Sequence, residues 1–262
     1  MQKPNYRFNP SLLNAYSDFL NAENLYDQFY GFAEDPSVTL EEFEKKLEQE
    51  LLDSVNRVDK GPIEAADRGT CANEAIDCIL EHRAPKDGVF LQTVRDPDGE
   101  PQSILAKMNG FTFNFDAGLI MQLAVYFRGS TCQHRCEATI NTAYGPVILY
   151  GDADYIRRDV VYDLKTTGKY SYGKFSDGWQ KDLYPWCLIE SGELAEVSGF
   201  EYTVVLLKET KKDPLISGDI FREWYDYDHA NAGVRLRSIA ESFISWIELH
   251  RSEIHHDRIF NK

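Results

Sequence analysis

Apolar residues recur at helical spacing near the start of the chain: Leu12, Leu13, Tyr16, Phe19 and Leu20, then Leu25, Phe29 and Tyr30. That pattern predicts helix over residues 11 to 30. Thr39-Leu-Glu-Glu42 has the form of a capping box and predicts a second helix to about Val58. A third helix is predicted over 66 to 83. Strand-like runs follow at 89 to 94 and 103 to 115, with the Asp96-Pro-Asp-Gly99 turn between them. Ala117 to Phe127 reads as a short buried helix. Residues 131 to 142 and 147 to 156 read as a hairpin around Tyr144-Gly-Pro146, and Val160 to Leu164 as the next strand. A helix over 177 to 191 leads into a strand over 198 to 207. The last helix, about 229 to 254, buries Val234, Leu236, Ile239, Phe243, Ile244 and Ile247.

This alternation predicts an α/β fold, a mixed central β-sheet flanked by helices, with a helical N-terminal extension over 1 to 60 and one compact unit over 61 to 262. Hydrophobic residues make up 43% of the 262 residues and aromatics 13%, enough for a substantial core. No run approaches the roughly 18 apolar residues needed to span a bilayer, and the start lacks a secretory apolar stretch. The expectation is a soluble cytoplasmic protein, with no membrane partner. The five cysteines do not form a disulfide framework. Cys132, His134 and Cys136 on one strand face would offer zinc three ligands and no fourth, a weak candidate.

The most chemically loaded segment is Leu149 to Gly168, which sets Gly151, Asp154, Asp163 and Lys165 on two adjoining strands. Asp163 and Lys165 are two apart and leave the same face of a strand. Two carboxylates meeting a lysine at a strand end suit a hard divalent cation and an activated water. The plain alternative is a hairpin ion pair of little energetic value. Gly-x-x-Asp, then Asp-x-Lys, then Gln180-x-x-x-Tyr184, resembles the PD-(D/E)xK nucleases, in the RecB-like branch that includes phage recombination exonucleases. The resemblance covers roughly residues 64 to 207. It implies a restriction-endonuclease-like core and Mg²⁺ or Mn²⁺ held by Asp154 and Asp163, with Lys165 positioning the attacking water. Glu137 would be a further acidic member, and Gln180 and Tyr184 would hold DNA. Gly151 would allow close approach of backbones near the site. Where the family's helix carries a metal-binding histidine, Arg68 to Leu80 here holds Asn73, followed by Glu74 as a candidate metal ligand. Losing imidazole lowers the preference for softer metals. Pro185 requires either a bend after Tyr184 or a helix start close to Gln180.

The resemblance implies a metal-dependent deoxyribonuclease, an exonuclease acting on DNA ends or single strands in phage-type recombination or repair. A single-strand annealing protein and further copies of the chain are its expected partners, in a bacterial cell or phage-infected host. Net charge bears on this reading. The chain carries −15 at neutral pH, whereas phosphate contacts call for basic surface. Residues 1 to 60 hold 12 acids against 6 bases, but Arg157, Arg158, Lys165, Lys169 and Lys174 face only Asp159 and Asp163 between 157 and 174. Arg157 and Lys169 are therefore candidate DNA contacts, and Lys208, Lys211 and Lys212 add a second basic cluster. The competing expectation is a catalytically inactive acidic binding protein on the same fold, mimicking DNA or docking in a nucleic-acid-processing complex.

Overall fold

The computed structural model describes residues 6–210 and 213–260, so Lys211 and Lys212 lie outside the described residues. In chain order the elements are β1 (Tyr6–Phe8), α1 (Pro10–Leu20), α2 (Ala22–Tyr30), α3 (Leu40–Val55), α4 (Glu64–Glu81), β2 (Phe90–Arg95), β3 (Pro101–Met108) and β4 (Phe111–Asp116). They continue with α5 (Ala117–Tyr126), β5 (Thr131–Thr142), β6 (Gly145–Arg157), β7 (Val160–Thr167), α6 (Gln180–Glu190), β8 (Gly199–Thr210), β9 (Asp213–Asp226) and α7 (His229–Leu249). The fold is α/β, a large mixed sheet flanked by helices. The strands run in the order β1-β6-β7-β8-β9-β4-β3-β2, and β5 also pairs with β6. The β5–β6 and β6–β7 pairs are antiparallel, and β7 to β8 is parallel after the α6 crossover.

One strand is used unusually. β5 pairs along the whole of β6, from Thr131 opposite Ile156 to Thr142 opposite Gly145. The other edge of β6 is divided between two partners. β1 takes Val147 to Leu149 in parallel, and β7 takes Tyr155 to Arg157 in antiparallel. Between them Tyr150 to Asp154 has no strand partner on that edge.

The two faces of the sheet bury separate cores. Val161 on β7 and Tyr202 and Val204 on β8 join α1, α3, α6 and α7 on one face. Tyr162 and Leu164, with Val205, join α4 and α5 on the other. Strand alternation therefore puts Asp163 and Lys165 on the α6 side.

The capping box at Thr39 and Glu42 is formed, and α3 opens there. The helix predicted over 11 to 30 is broken at Asn21, which ends α1 and precedes α2. The strand predicted over 103 to 115 is a hairpin, because Asn109 (φ 49) and Gly110 (φ 89) make a left-handed turn of the kind that tight hairpins use. β9 was not predicted. Its interior holds Glu223, fully buried and bonded by the Tyr170 and Tyr225 hydroxyls, which spoils any apolar alternation.

β1, α1 and α3 contribute Phe8, Leu13, Tyr16, Leu51 and Val55 to the main core. Phe8 packs against Phe243 of α7 at 4.9 Å between ring centroids, and Tyr16 stacks on the same ring at 4.6 Å. No helix among the described residues is long and apolar enough to cross a membrane. Phe243 is fully buried and ties β1 and α1 to α7. Phe243→Ala should lower stability by about 3–5 kcal/mol, read as a shift in the urea midpoint at unchanged slope. A loss below about 1 kcal/mol would mean that the N-terminal segment is not held through this ring.

Candidate functional site

Asp154 lies at the end of the unpaired stretch of β6, beside the point where β7 joins. Its Oδ2 accepts from the Leu164 N–H at 2.8 Å, and its Oδ1 from Gln133 Nε2 at 3.2 Å. On β7, Lys165 Nζ sits 2.7 Å from Asp163 Oδ2. The same ammonium lies 5.8 Å from the centroid of the Tyr202 ring. Two carboxylates and one ammonium thus share a half-buried corner, and the charges do not balance.

Burial and charge together govern titration. Burial, and after it the charge of Asp163, pushes the Asp154 carboxyl up to about 7; the Leu164 and Gln133 bonds and Lys165 only partly oppose it. Burial alone would lower the Lys165 ammonium, but Asp163, with Asp154 behind it, raises it instead. Lys165 is therefore held charged between the carboxylates.

Gly151 makes the corner possible. A Cβ there would stand 2.5 Å from Tyr184 Cε1 and 3.3 Å from Pro10 Cδ, so only a glycine lets the Tyr184 ring lie against the strand. Close approach at Gly151 was expected between backbones; the structure makes it with two side-chain rings. Tyr184 is 7% exposed, and burial pushes its phenol far up, with Asp163 and Asp154 adding to the shift. It floors the site and does not present itself to solvent. Gln180 is the first residue of α6, where Asn14 Nδ2 donates to its Oε1 at 3.4 Å. Starting the helix there leaves Pro185 at its sixth residue, inside α6.

A cleft of about 770 Å³ opens beside this corner, lined by Lys165, Lys174, Lys181 and Arg235 together with Asp18, Asp177 and Asp182, with Gln180 at its edge, and walled by α1 and α2. Lys174 Nζ donates to Thr167 Oγ1 at 2.8 Å and to the Lys169 carbonyl at 2.7 Å, which curls the loop after β7 toward the cleft. Lys169 is exposed on that loop. Lys181 and Arg235 both pair with the buried Asp182.

Three predicted site residues are placed elsewhere. Glu137 stands opposite Tyr150 on β5 and pairs with Arg7 at 3.0 Å and Arg135 at 3.4 Å. Glu74 is buried with Arg83 and Lys86; burial opposes its charge, but the Arg83 guanidinium and the Lys86 N–H hold it below the usual carboxylate range. Arg157 donates to the Tyr126 carbonyl at 2.6 Å and to the Tyr162 hydroxyl at 3.0 Å, so its guanidinium is occupied in the hairpin turn. Asn73 has a buried Oδ1 with no hydrogen-bond partner. No group of three or more His, Cys, Asp or Glu gathers among the described residues in a way that could hold a metal. The cysteines of the weak zinc candidate diverge, Cys136 in the α6-side core and Cys132 against the other.

Gln133 and Glu223 were missed by sequence reasoning. Glu223 Oε1 accepts from the Tyr170 hydroxyl at 2.6 Å and the Gly173 N–H at 2.9 Å, anchoring the loop that carries Lys169 and Lys174. Nothing local marks either residue, since each acts on a strand remote in sequence.

Neither a protein-family model nor a curated protein matches the chain. Among solved structures, one titled "Crystal structure of SSO0001" is similar, at 12% identity and a TM-score of 0.43, over 94% of this chain and 79% of that one.

Because Asp154 binds its proton more tightly folded than unfolded, it contributes stability that is fully present below its ordinary value of 3.8 and lost as pH rises through about 7. In chelator-treated buffer the urea midpoint should fall across that window. Asp154→Asn, which keeps an acceptor for Leu164, should flatten most of the fall. A residual slope is expected from Asp77, which burial pushes up to about 6. An unchanged profile in the variant would show that Asp154 is not the group titrating.

Proposed function

We propose that this chain is a Mg²⁺- or Mn²⁺-dependent deoxyribonuclease of the PD-(D/E)xK, RecB-like kind, hydrolysing phosphodiesters at DNA ends. The observation that carries the reading is the meeting of Asp154, Asp163 and Lys165 on the antiparallel β6–β7 pair, beside a cleft that Lys165 lines. The order strand, strand, helix also supports it, with Asp154 on β6, Asp163 and Lys165 on β7, and Gln180 and Tyr184 on α6.

The donor set fits such a cation. Magnesium is commonly bound by one or two carboxylates, with water and substrate phosphate completing its shell. Burial first, and the neighbouring Asp163 charge second, raise the Asp154 carboxyl, and a divalent ion would relieve that second cause. A cation held by Asp154 and Asp163 would supply Lewis acidity and a bound water of lowered pKa. Lys165 would orient that water for in-line attack on phosphorus and steady the charge building on the phosphoryl oxygens. Gln133 and the Leu164 N–H keep the Asp154 carboxylate turned toward β7. Lys174, Lys181 and Arg235 offer cationic contacts for the strand entering the cleft, and Gln180 an amide at its rim. Action on ends, in recombination or repair, rests on the resemblance alone, as do the cytoplasmic setting, an annealing-protein partner and self-association.

A second reading has its own support. Net charge is −15, Lys165 already neutralises Asp163, and Asn73 stands where the resemblance calls for imidazole. These favour an acidic binding protein that occupies a nucleic-acid-binding partner.

Linear, nicked and closed circular DNA should be incubated with the protein in Mg²⁺ or Mn²⁺, beside Lys165→Ala. Degradation of linear DNA alone is expected, falling about 10²–10³-fold in the variant. Full activity in Lys165→Ala would sink the mechanism, and no cutting with either metal would favour the binding protein. A metal-induced rise in melting temperature that vanishes in Asp154→Asn is expected alongside.

A further inference from the structure

Four arginines from separate parts of this acidic chain converge on Tyr150, which is buried on β6. Arg7 and Arg135 lie over its ring at 5.0 and 4.4 Å from the centroid, and Arg258 at 5.9 Å. Arg57 Nη2 donates to the Tyr150 hydroxyl at 3.5 Å. Among the described residues, two carboxylates pair with them. Glu137 pairs with Arg7 and Arg135, and Asp152 lies 3.4 Å from Arg135. Arg57 and Arg258 have no carboxylate partner among the described residues.

A pocket of about 140 Å³ lies within this cluster, lined by Arg7, Arg57, Arg258, Asn9, Ser11 and Ser54. Arg7 Nε is a buried donor with no hydrogen-bond partner, an arrangement that is costly unless an acceptor fills it. Asn9 is the N-cap of α1, so the positive end of that helix and the Ser11 hydroxyl face the same space.

We propose that this pocket binds a phosphate-type oxyanion. Converging guanidiniums call for an anion of several acceptor oxygens, and planar arginine forks match phosphate better than a single-atom anion such as chloride. The excess of guanidiniums over carboxylates leaves a charge for such a ligand to neutralise. The pocket is distinct from the Asp154–Lys165 corner, since Tyr150 and Asp154 are four residues apart on one strand, roughly 13 Å. It needs no metal and does not rest on the nuclease reading.

The test is calorimetric titration of the whole protein with inorganic phosphate in chelator-treated buffer, against chloride at matched ionic strength. Arg57→Gln and Arg258→Gln alter exposed side chains, and circular dichroism checks that each variant is folded. Phosphate should bind where chloride does not, and each variant should weaken it about tenfold or more. An oligonucleotide without terminal phosphates identifies the source of the anion. Binding that falls in the same variants and is displaced by phosphate would assign a backbone phosphodiester, and binding of phosphate alone a small free anion. Phosphate that binds no better than chloride, or equally well to the folded Arg57→Gln/Arg258→Gln double variant, would overturn the proposal.

Discussion

The divided edge of β6 is the constraint on which the rest depends. A strand paired throughout on one side and claimed by two different strands on the other must leave a gap between the claimants, here Tyr150 to Asp154. Backbone groups in such a gap need other partners, and side chains near it gain room to turn. The Tyr184 and Pro10 rings close against Gly151, and Asp154 reaches across to the Leu164 N–H in place of a ladder bond. A side chain at 151 would push α6 away from the sheet and take the floor of the carboxylate corner with it. The glycine is thus required by packing before any chemistry is considered.

Charge follows the same geometry. The −15 total would suggest a surface hostile to anions, yet the distribution is uneven. Positive groups collect around Tyr150, while cations and aspartates alternate in the cleft beside Lys165, on elements that come together only through the sheet. Screening at physiological salt acts over about 8 Å, so these local fields, and not the total, govern what approaches each patch. The buried carboxylates are handled locally as well. Asp182 is paired by Lys181 and Arg235, Glu74 by Arg83, and Glu223 by hydroxyls and an N–H.

Much of this was legible along the chain. Helical periodicity, the Thr39 capping box and the β6–β7 hairpin were all readable, because each depends on neighbours a few residues away. Asp154, Asp163 and Lys165 were readable for the same reason, the hairpin bringing them together through a turn of Arg157 to Val160. What failed depended on distant contacts. Glu137 carries the same carboxylate whichever side of β5 it leaves, and only the placement of Arg7, 130 residues away, reveals its partner. Glu74 lies on the helix that the motif suggested, but a helix face can be assigned to the wrong neighbour until its packing is seen. β9 escaped notice because a satisfied buried carboxylate looks, in sequence, like a solvent-facing one. The Asn109-Gly110 turn was readable and was passed over, since the apolar runs on either side looked like one strand.

The two charged centres are not independent features that happen to be close. Both are built on β6, whose residues 150, 152 and 154 pass from the arginine cluster to the carboxylate corner within about 13 Å. Asp152, between them, pairs back to Arg135 on β5. β1 brings Arg7 and then α1, whose Pro10 seals Gly151 and whose Asn14 reaches Gln180. The N-terminal segment therefore supplies the wall of one centre and the principal cation of the other. Its removal would expose the β6 edge, unseat Gln180 and disperse the arginines together, and its Phe8, Leu13, Tyr16 and Leu51 lie within the main core.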